Sequence, residues 1–74
     1  MPPLPVVSGL EARKAFERAG WIFRRQAGSH MIMAKPGFRT ILSIPNHRTL
    51  DRGTLRSLIS DSGMTVEEFL AYMR

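Results

Sequence analysis

Apolar positions along the chain change their period twice. Ala12, Ala15, Phe16 and Ala19 recur at i, i+3, i+4 and i+7, the one-sided stripe of an amphipathic helix. Ser8 and Glu11 frame its start as a reciprocal capping box, and Gly20 stands where the helix must end. From Trp21 the helical period is lost. Trp21-Ile22-Phe23-Arg24-Arg25-Gln26 is aromatic and β-branched, Ala27-Gly28-Ser29 supplies turn chemistry, and His30-Met31-Ile32-Met33-Ala34 completes a β-hairpin. Lys35-Pro36-Gly37 predicts a second turn, and Thr40-Ile41-Leu42-Ser43-Ile44 a third strand. The helical period then returns. Leu55, Leu58 and Ile59 share one face of a second helix that ends near Gly63, and a capping box over Thr65 and Glu68 opens a third helix carrying Val66, Phe69, Leu70 and Met73.

The order is therefore αβββα(α), an α+β domain in which successive tight turns make an antiparallel three-stranded meander. Each helix has one apolar stripe and so short a sheet needs a cover, so the helices are expected on one sheet face, leaving the other to water or a ligand. A two-residue Gly28-Ser29 turn would pair Ala27 with His30 and Arg25 with Ile32, bringing Arg25 and His30 onto one face near the hairpin tip. Both faces of the strand patterns hold apolar residues, so the period alone leaves open which face is exposed. Residues 1–7, with Pro2, Pro3 and Pro5, read as an extended arm ahead of a single domain over residues 8–74.

Composition narrows the chemistry. A chain of 74 residues is one small domain, and with no cysteine it has neither disulfides nor a thiolate metal cage. No apolar run is long enough to cross a membrane, and the Pro-rich start lacks the basic region of a signal peptide, so a cytoplasmic protein with no membrane partner is expected. The net charge is +5, and nine of the 11 cations are Arg, the side chain that forks onto phosphate oxygens and stacks on bases. Nucleic acid is the leading partner on these grounds, although a small basic protein also gains solubility from such charge. Gly-rich phosphate loops and nucleophile elbows are missing from the sequence, and Asp51, Asp61, Glu67 and Glu68 read as caps and first-turn charges. The run Arg13, Lys14, Glu17 and Arg18 reads as a solvated helix face with an Arg13 to Glu17 pair, and Arg56 as a solvated residue near a helix start.

The fold order on a basic chain resembles the double-stranded RNA-binding (dsRBD) fold. A more specific likeness lies in Gly20-Trp21, Arg25-Gln26-Ala27-Gly28-Ser29-His30, Ile44-Pro45-Asn46-His47, Gly53-Thr54-Leu55-Arg56-Ser57-Leu58-Ile59 and Gly63-Met64-Thr65-Val66-Glu67-Glu68-Phe69. In that order and at those spacings the chain resembles the HicA family, bacterial toxins of type II toxin–antitoxin modules, from Ser8 to about Leu70. The resemblance implies a dsRBD-like fold, a metal-independent endoribonuclease acting on mRNA in the bacterial cytoplasm, no cofactor, and a HicB-type antitoxin as protein partner; a monomeric free toxin is a separate expectation. It also implies that the histidine of the Gly-Ser-His motif, His30, is catalytic, and that Arg25 is the basic strand residue ahead of it. A Lys-Gly common in the family is Ala27-Gly28 here, which leaves phosphate binding at the tip to Arg24 or Arg25.

The residues carry their own argument for His30. RNA brings its nucleophile, the 2′-hydroxyl, so cleavage needs a group to take that proton, a cation to balance the phosphorane, and an acid for the departing 5′-oxygen. Histidine, with an ordinary pKa of about 6.5, does this near neutral pH without a large environmental shift, and a neighbouring arginine supplies the charge. The alternative for a lone histidine is a polar strand end. His47 after Pro45-Asn46 has two readings, a loop-fixing residue, which is favoured, or the partner acid to His30, and the two histidines lack further ligands at metal-binding spacing. The expected RNA contacts are Arg24, Arg25, Gly28, Ser29, Lys35, Arg39 and Arg48. A non-catalytic RNA-binding module of the same fold, or a protein whose sheet edge binds another chain, would share these features without cleaving RNA.

Overall fold

The computed structural model describes residues 3–74, so Met1 and Pro2 of the Pro-rich arm lie outside the described residues. Helix α1 (Gly9–Arg18) begins at the predicted box: the Ser8 hydroxyl accepts from the Glu11 N–H and the Glu11 carboxylate accepts from the Ser8 N–H. These bonds satisfy donors that every helix start leaves free. Ala12, Ala15 and Phe16 are buried, and the helix stops at Ala19 before Gly20, whose φ of 102° lies in the region glycine tolerates. Strands β1 (Ile22–Ala27), β2 (His30–Ala34) and β3 (Leu42–Pro45) follow, then helices α2 (Arg52–Asp61) and α3 (Val66–Tyr72). Asp51 caps α2, and the predicted Thr65 and Glu68 box opens α3.

The sheet has order β1-β2-β3, with both pairs antiparallel. Met31, Met33, Leu42 and Ile44 point to the covered face and are buried with Phe16, Trp21, Leu55, Ile59 and Phe69. Phe16 of α1 and Phe69 of α3 meet with ring centroids 5.1 Å apart, a tilted pair at the junction of the helices. The αβββα(α) architecture expected from the sequence is thus present, with helices on one face and an open three-stranded sheet on the other.

Two boundaries differ from the expectation for physical reasons. Strand β1 starts at Ile22 because Trp21 is buried and its N–H closes on the Phe16 carbonyl at 2.9 Å, completing the end of α1. Strand β3 starts at Leu42 and not at Thr40. The Lys35 turn closes as predicted, with the Phe38 N–H on the Lys35 carbonyl at 3.0 Å, but Phe38 then turns toward Trp21, at 5.5 Å between centroids, and pairing resumes only afterwards.

Residues 3–7 hold no helix or strand, yet they pack against the domain: Leu4 and Val7 are each only 3% exposed, and the Val7 carbonyl accepts from the Leu50 N–H at 2.7 Å. The segment closes the core ahead of α2. The start of α1 is pressed equally closely against the end of β3. The Gly9 N–H donates to the His47 carbonyl at 2.9 Å, and a Cβ on Gly9 would run into the Pro45 carbonyl oxygen. Because the obstacle is backbone, it yields only if the helix moves. Gly9→Ala is therefore expected to destabilise the protein by about 1–3 kcal/mol, the range for overpacking a closed site, read as a lowered urea midpoint. An unchanged midpoint would show that α1 is free to shift.

Candidate active site

The hairpin tip is built by local chemistry. Gly28, at the first central position of the two-residue turn, has φ 60°, the sign a type II′ hairpin turn requires there. The Gln26 side-chain amide donates to the Gly28 carbonyl at 3.0 Å, and the Ser29 carbonyl accepts from the Asn46 N–H at 2.7 Å. The tip is thereby tied to the exit of β3. Ala27 pairs with His30 and Arg25 with Ile32, the register expected from a two-residue turn.

The register shifts between Phe23 and Arg25, which makes Arg24 the extra residue of a β-bulge. Strict alternation would put Phe23 and Arg25 on the same face. With the bulge, Phe23 lies opposite Met33 on the covered side, where the Arg13 guanidinium stacks 3.9 Å from its ring centroid, while Arg25 lies opposite Ile32 on the open side. Arg13 also forms the expected pair with Glu17, at 3.5 Å, so part of the charged face of α1 covers the sheet instead of standing wholly in solvent.

The open face consequently presents Arg25, Ala27, His30 and Ser43 together near one end of the sheet. His30 is exposed, and its Nδ1 lies 2.9 Å from the Ser43 hydroxyl on the neighbouring strand. With Nδ1 so engaged, Nε2 is the ring nitrogen left for a ligand. Arg24, Arg25, Gly28 and Ser29 are exposed on the same hairpin, and Arg48 lies exposed in the loop that leaves β3 opposite His30. That loop also lines a shallow cleft of about 210 Å³ with Ser8, Leu10, Asn46, His47 and Arg48. His47 contributes its backbone carbonyl to α1, which gives this loop a structural function.

Lys35 and Arg39 are separated from this group. They lie in the β2–β3 connection, at the end of the sheet away from the Gly28-Ser29 turn. At about 3.3 Å per strand residue, Lys35 is roughly 16 Å along the chain from His30. Its ammonium donates to the Ala19 carbonyl at 3.0 Å and lies 5.1 Å from the Phe38 ring centroid. A cation there answers the exposed carbonyls at the end of α1. Ser43 is the site residue that sequence reasoning missed; only the β2–β3 register brings it beside His30.

Among the described residues no three His, Asp or Glu side chains come together as a cation site. Nor is any helix among them long and apolar enough to cross a membrane. What the face can do chemically is exchange a proton at one imidazole nitrogen beside an arginine, on a surface open enough to admit a polymer.

Comparison with known proteins bears on this arrangement. No curated protein matches the chain. A solved structure described as a toxin–antitoxin complex from Streptococcus pneumoniae contains a chain 32% identical to this one, with a TM-score of 0.70, over 78% of this chain and 98% of that one. The family model for the HicA toxin of bacterial toxin–antitoxin systems matches residues 9–64, a span that runs from the first residue of α1 to just beyond α2 and contains the whole sheet. With fold, hairpin and family model in agreement, the chain belongs to the HicA family of bacterial toxins.

Proposed function

We propose that this toxin is an endoribonuclease that cuts mRNA in the bacterial cytoplasm without a metal, and that a HicB-type antitoxin neutralises it. The observation that carries the reading is the exposed His30 on the open sheet face, held at Nδ1 by Ser43, with Arg25 on the same face. The substrate's 2′-oxygen attacks the adjacent phosphorus as its proton passes to a base, the P–O5′ bond breaks, and the 5′-oxygen leaves with a proton. The products are a 2′,3′-cyclic phosphate and a 5′-hydroxyl. His30 Nε2 supplies or receives one of the two protons, and Arg25 balances the charge that builds on the phosphorane. The backbone N–H groups of Gly28 and Ser29 and the Ser29 hydroxyl would position the RNA strand, with Arg24 and Arg48 on flanking phosphates.

The antitoxin partner is inferred from family membership and from the toxin–antitoxin complex that the chain resembles at 32% identity. A protein that lies over the open face would occlude His30 and Arg25 together, and an acidic patch on it would complement the +5 toxin.

The test is incubation of the purified, antitoxin-free chain with single-stranded RNA in the presence of a chelator. Cleavage with cyclic-phosphate ends supports the reading. Binding without cleavage would instead mark a non-catalytic RNA-binding module. Arg25→Ala is expected to weaken RNA binding and to lower the slope of log K against log salt by about 0.7, the single-strand value for one phosphate contact. An unchanged slope would take Arg25 off the phosphate path.

A further inference from the structure

We infer that Ser43 is a positioning residue that holds neutral His30 in the tautomer protonated at Nδ1 and so assigns proton exchange to Nε2. The choice of tautomer rests on the ribonuclease step proposed above; the contact between Ser43 and His30 does not.

The inference starts from the sheet register. Ser43 pairs with Ile32, and His30 pairs with Pro45, so Ser43 and His30 are diagonal neighbours on the open face. Their side chains meet at 2.9 Å between Oγ and Nδ1. A serine hydroxyl can donate or accept, so two arrangements fit that distance. If Ser43 donates to Nδ1, neutral His30 carries its proton on Nε2 and has no lone pair for a substrate proton. Protonation at Nδ1 would then reverse the contact, the Ser43 hydroxyl turning to accept. If Nδ1–H donates to Ser43 Oγ, Nε2 is an acceptor in the neutral ring and a donor in the imidazolium, and the contact survives both states. Only the second arrangement lets one nitrogen take a proton and return it without the ring turning over. Serine also orients the ring without adding a charge, so it leaves the positive field of the RNA-facing surface intact, whereas a carboxylate in its place would oppose the approach of phosphate.

Both residues are exposed, so the hydrogen bond competes with water and its effect is modest. Ser43→Ala is expected to lower kcat about fivefold with KM unchanged, the kinetic equivalent of one net hydrogen bond. Ser43→Thr keeps the hydroxyl on a strand position that favours β-branched residues, and it is expected to restore the wild-type rate.

The deciding measurement is a two-bond ¹H–¹⁵N correlation spectrum of the histidine rings in wild type, Ser43→Ala and Ser43→Thr, with His30 assigned by its loss in His30→Ala. The expected result is Nδ1–H in wild type and Ser43→Thr, and a shift toward Nε2–H in Ser43→Ala. Nε2–H in wild type, or an identical tautomer balance in Ser43→Ala, overturns the inference. A tautomer shift in a protein that never cleaves RNA upholds the hold of Ser43 on His30 and overturns the ribonuclease reading instead.

Discussion

His30→Ala is expected to fold as the wild type does and to cleave single-stranded RNA about 10²- to 10⁴-fold more slowly, the usual contribution of a positioned general acid or base. Stability should change by no more than about 0.5 kcal/mol, because His30 is exposed and its ring has one side-chain partner, Ser43. The two effects separate because His30 stands outside the core: Met31, its neighbour on β2, is buried, and His30 points the other way. The measurement pairs a cleavage time course with urea unfolding of both proteins, and a growth assay on induction gives the same comparison in cells. Wild-type cleavage by a folded His30→Ala would move the chemistry to another residue of the open face.

How much of this was legible in the sequence depends on how local each determinant is. The capping boxes at Ser8 and Thr65 each involve residues three apart, and both are present as read. The hairpin register follows from a two-residue turn, so the pairing of Ala27 with His30 and of Arg25 with Ile32 was also within reach. The exposed face was not, since the bulge at Arg24 changes the phase of β1 partway and puts Phe23 and Arg25 on opposite sides. Ser43 was hidden for a related reason. Its place beside His30 depends on a connection in which Phe38 leaves the strand path to meet Trp21, which no short-range pattern announces.

A cation's surroundings are hard to read where its partner is distant in sequence. Lys35 looks like a free cation after a strand, but its ammonium lies on the Ala19 carbonyl across the end of α1. Composition marks the Pro-rich segment as an arm, which describes its backbone and omits the burial of Leu4 and Val7. The hydrogen bond from Leu50 to Val7 joins residues far apart in the chain, and only the assembled core brings them together. What local patterns convey is therefore elements and turns, and what they omit is how the loops close over the core.

The largest loss of stability is expected from Phe69→Ala, at about 3–5 kcal/mol. A domain of 74 residues holds roughly 4–11 kcal/mol at about 0.05–0.15 kcal/mol per residue, so this one substitution would remove much of the margin. Phe69 is fully buried on α3, a helix of seven residues that is too short to persist without packing. Its ring packs at a tilt against Phe16, and its loss would leave Phe16 facing a cavity at the junction of α1 and α3. Trp21, the one tryptophan, is buried in the same core and reports unfolding by fluorescence. Because α3 lies beyond residues 9–64, the span matched by the family model, the result also decides whether this helix belongs to the folding unit. A loss of several kcal/mol, with RNA cleavage falling only in step with the folded fraction, would make α3 a structural cover for the sheet that carries His30. A loss below about 1 kcal/mol would mean that the core closes without Phe69 and that α3 is an appendage to the toxin fold.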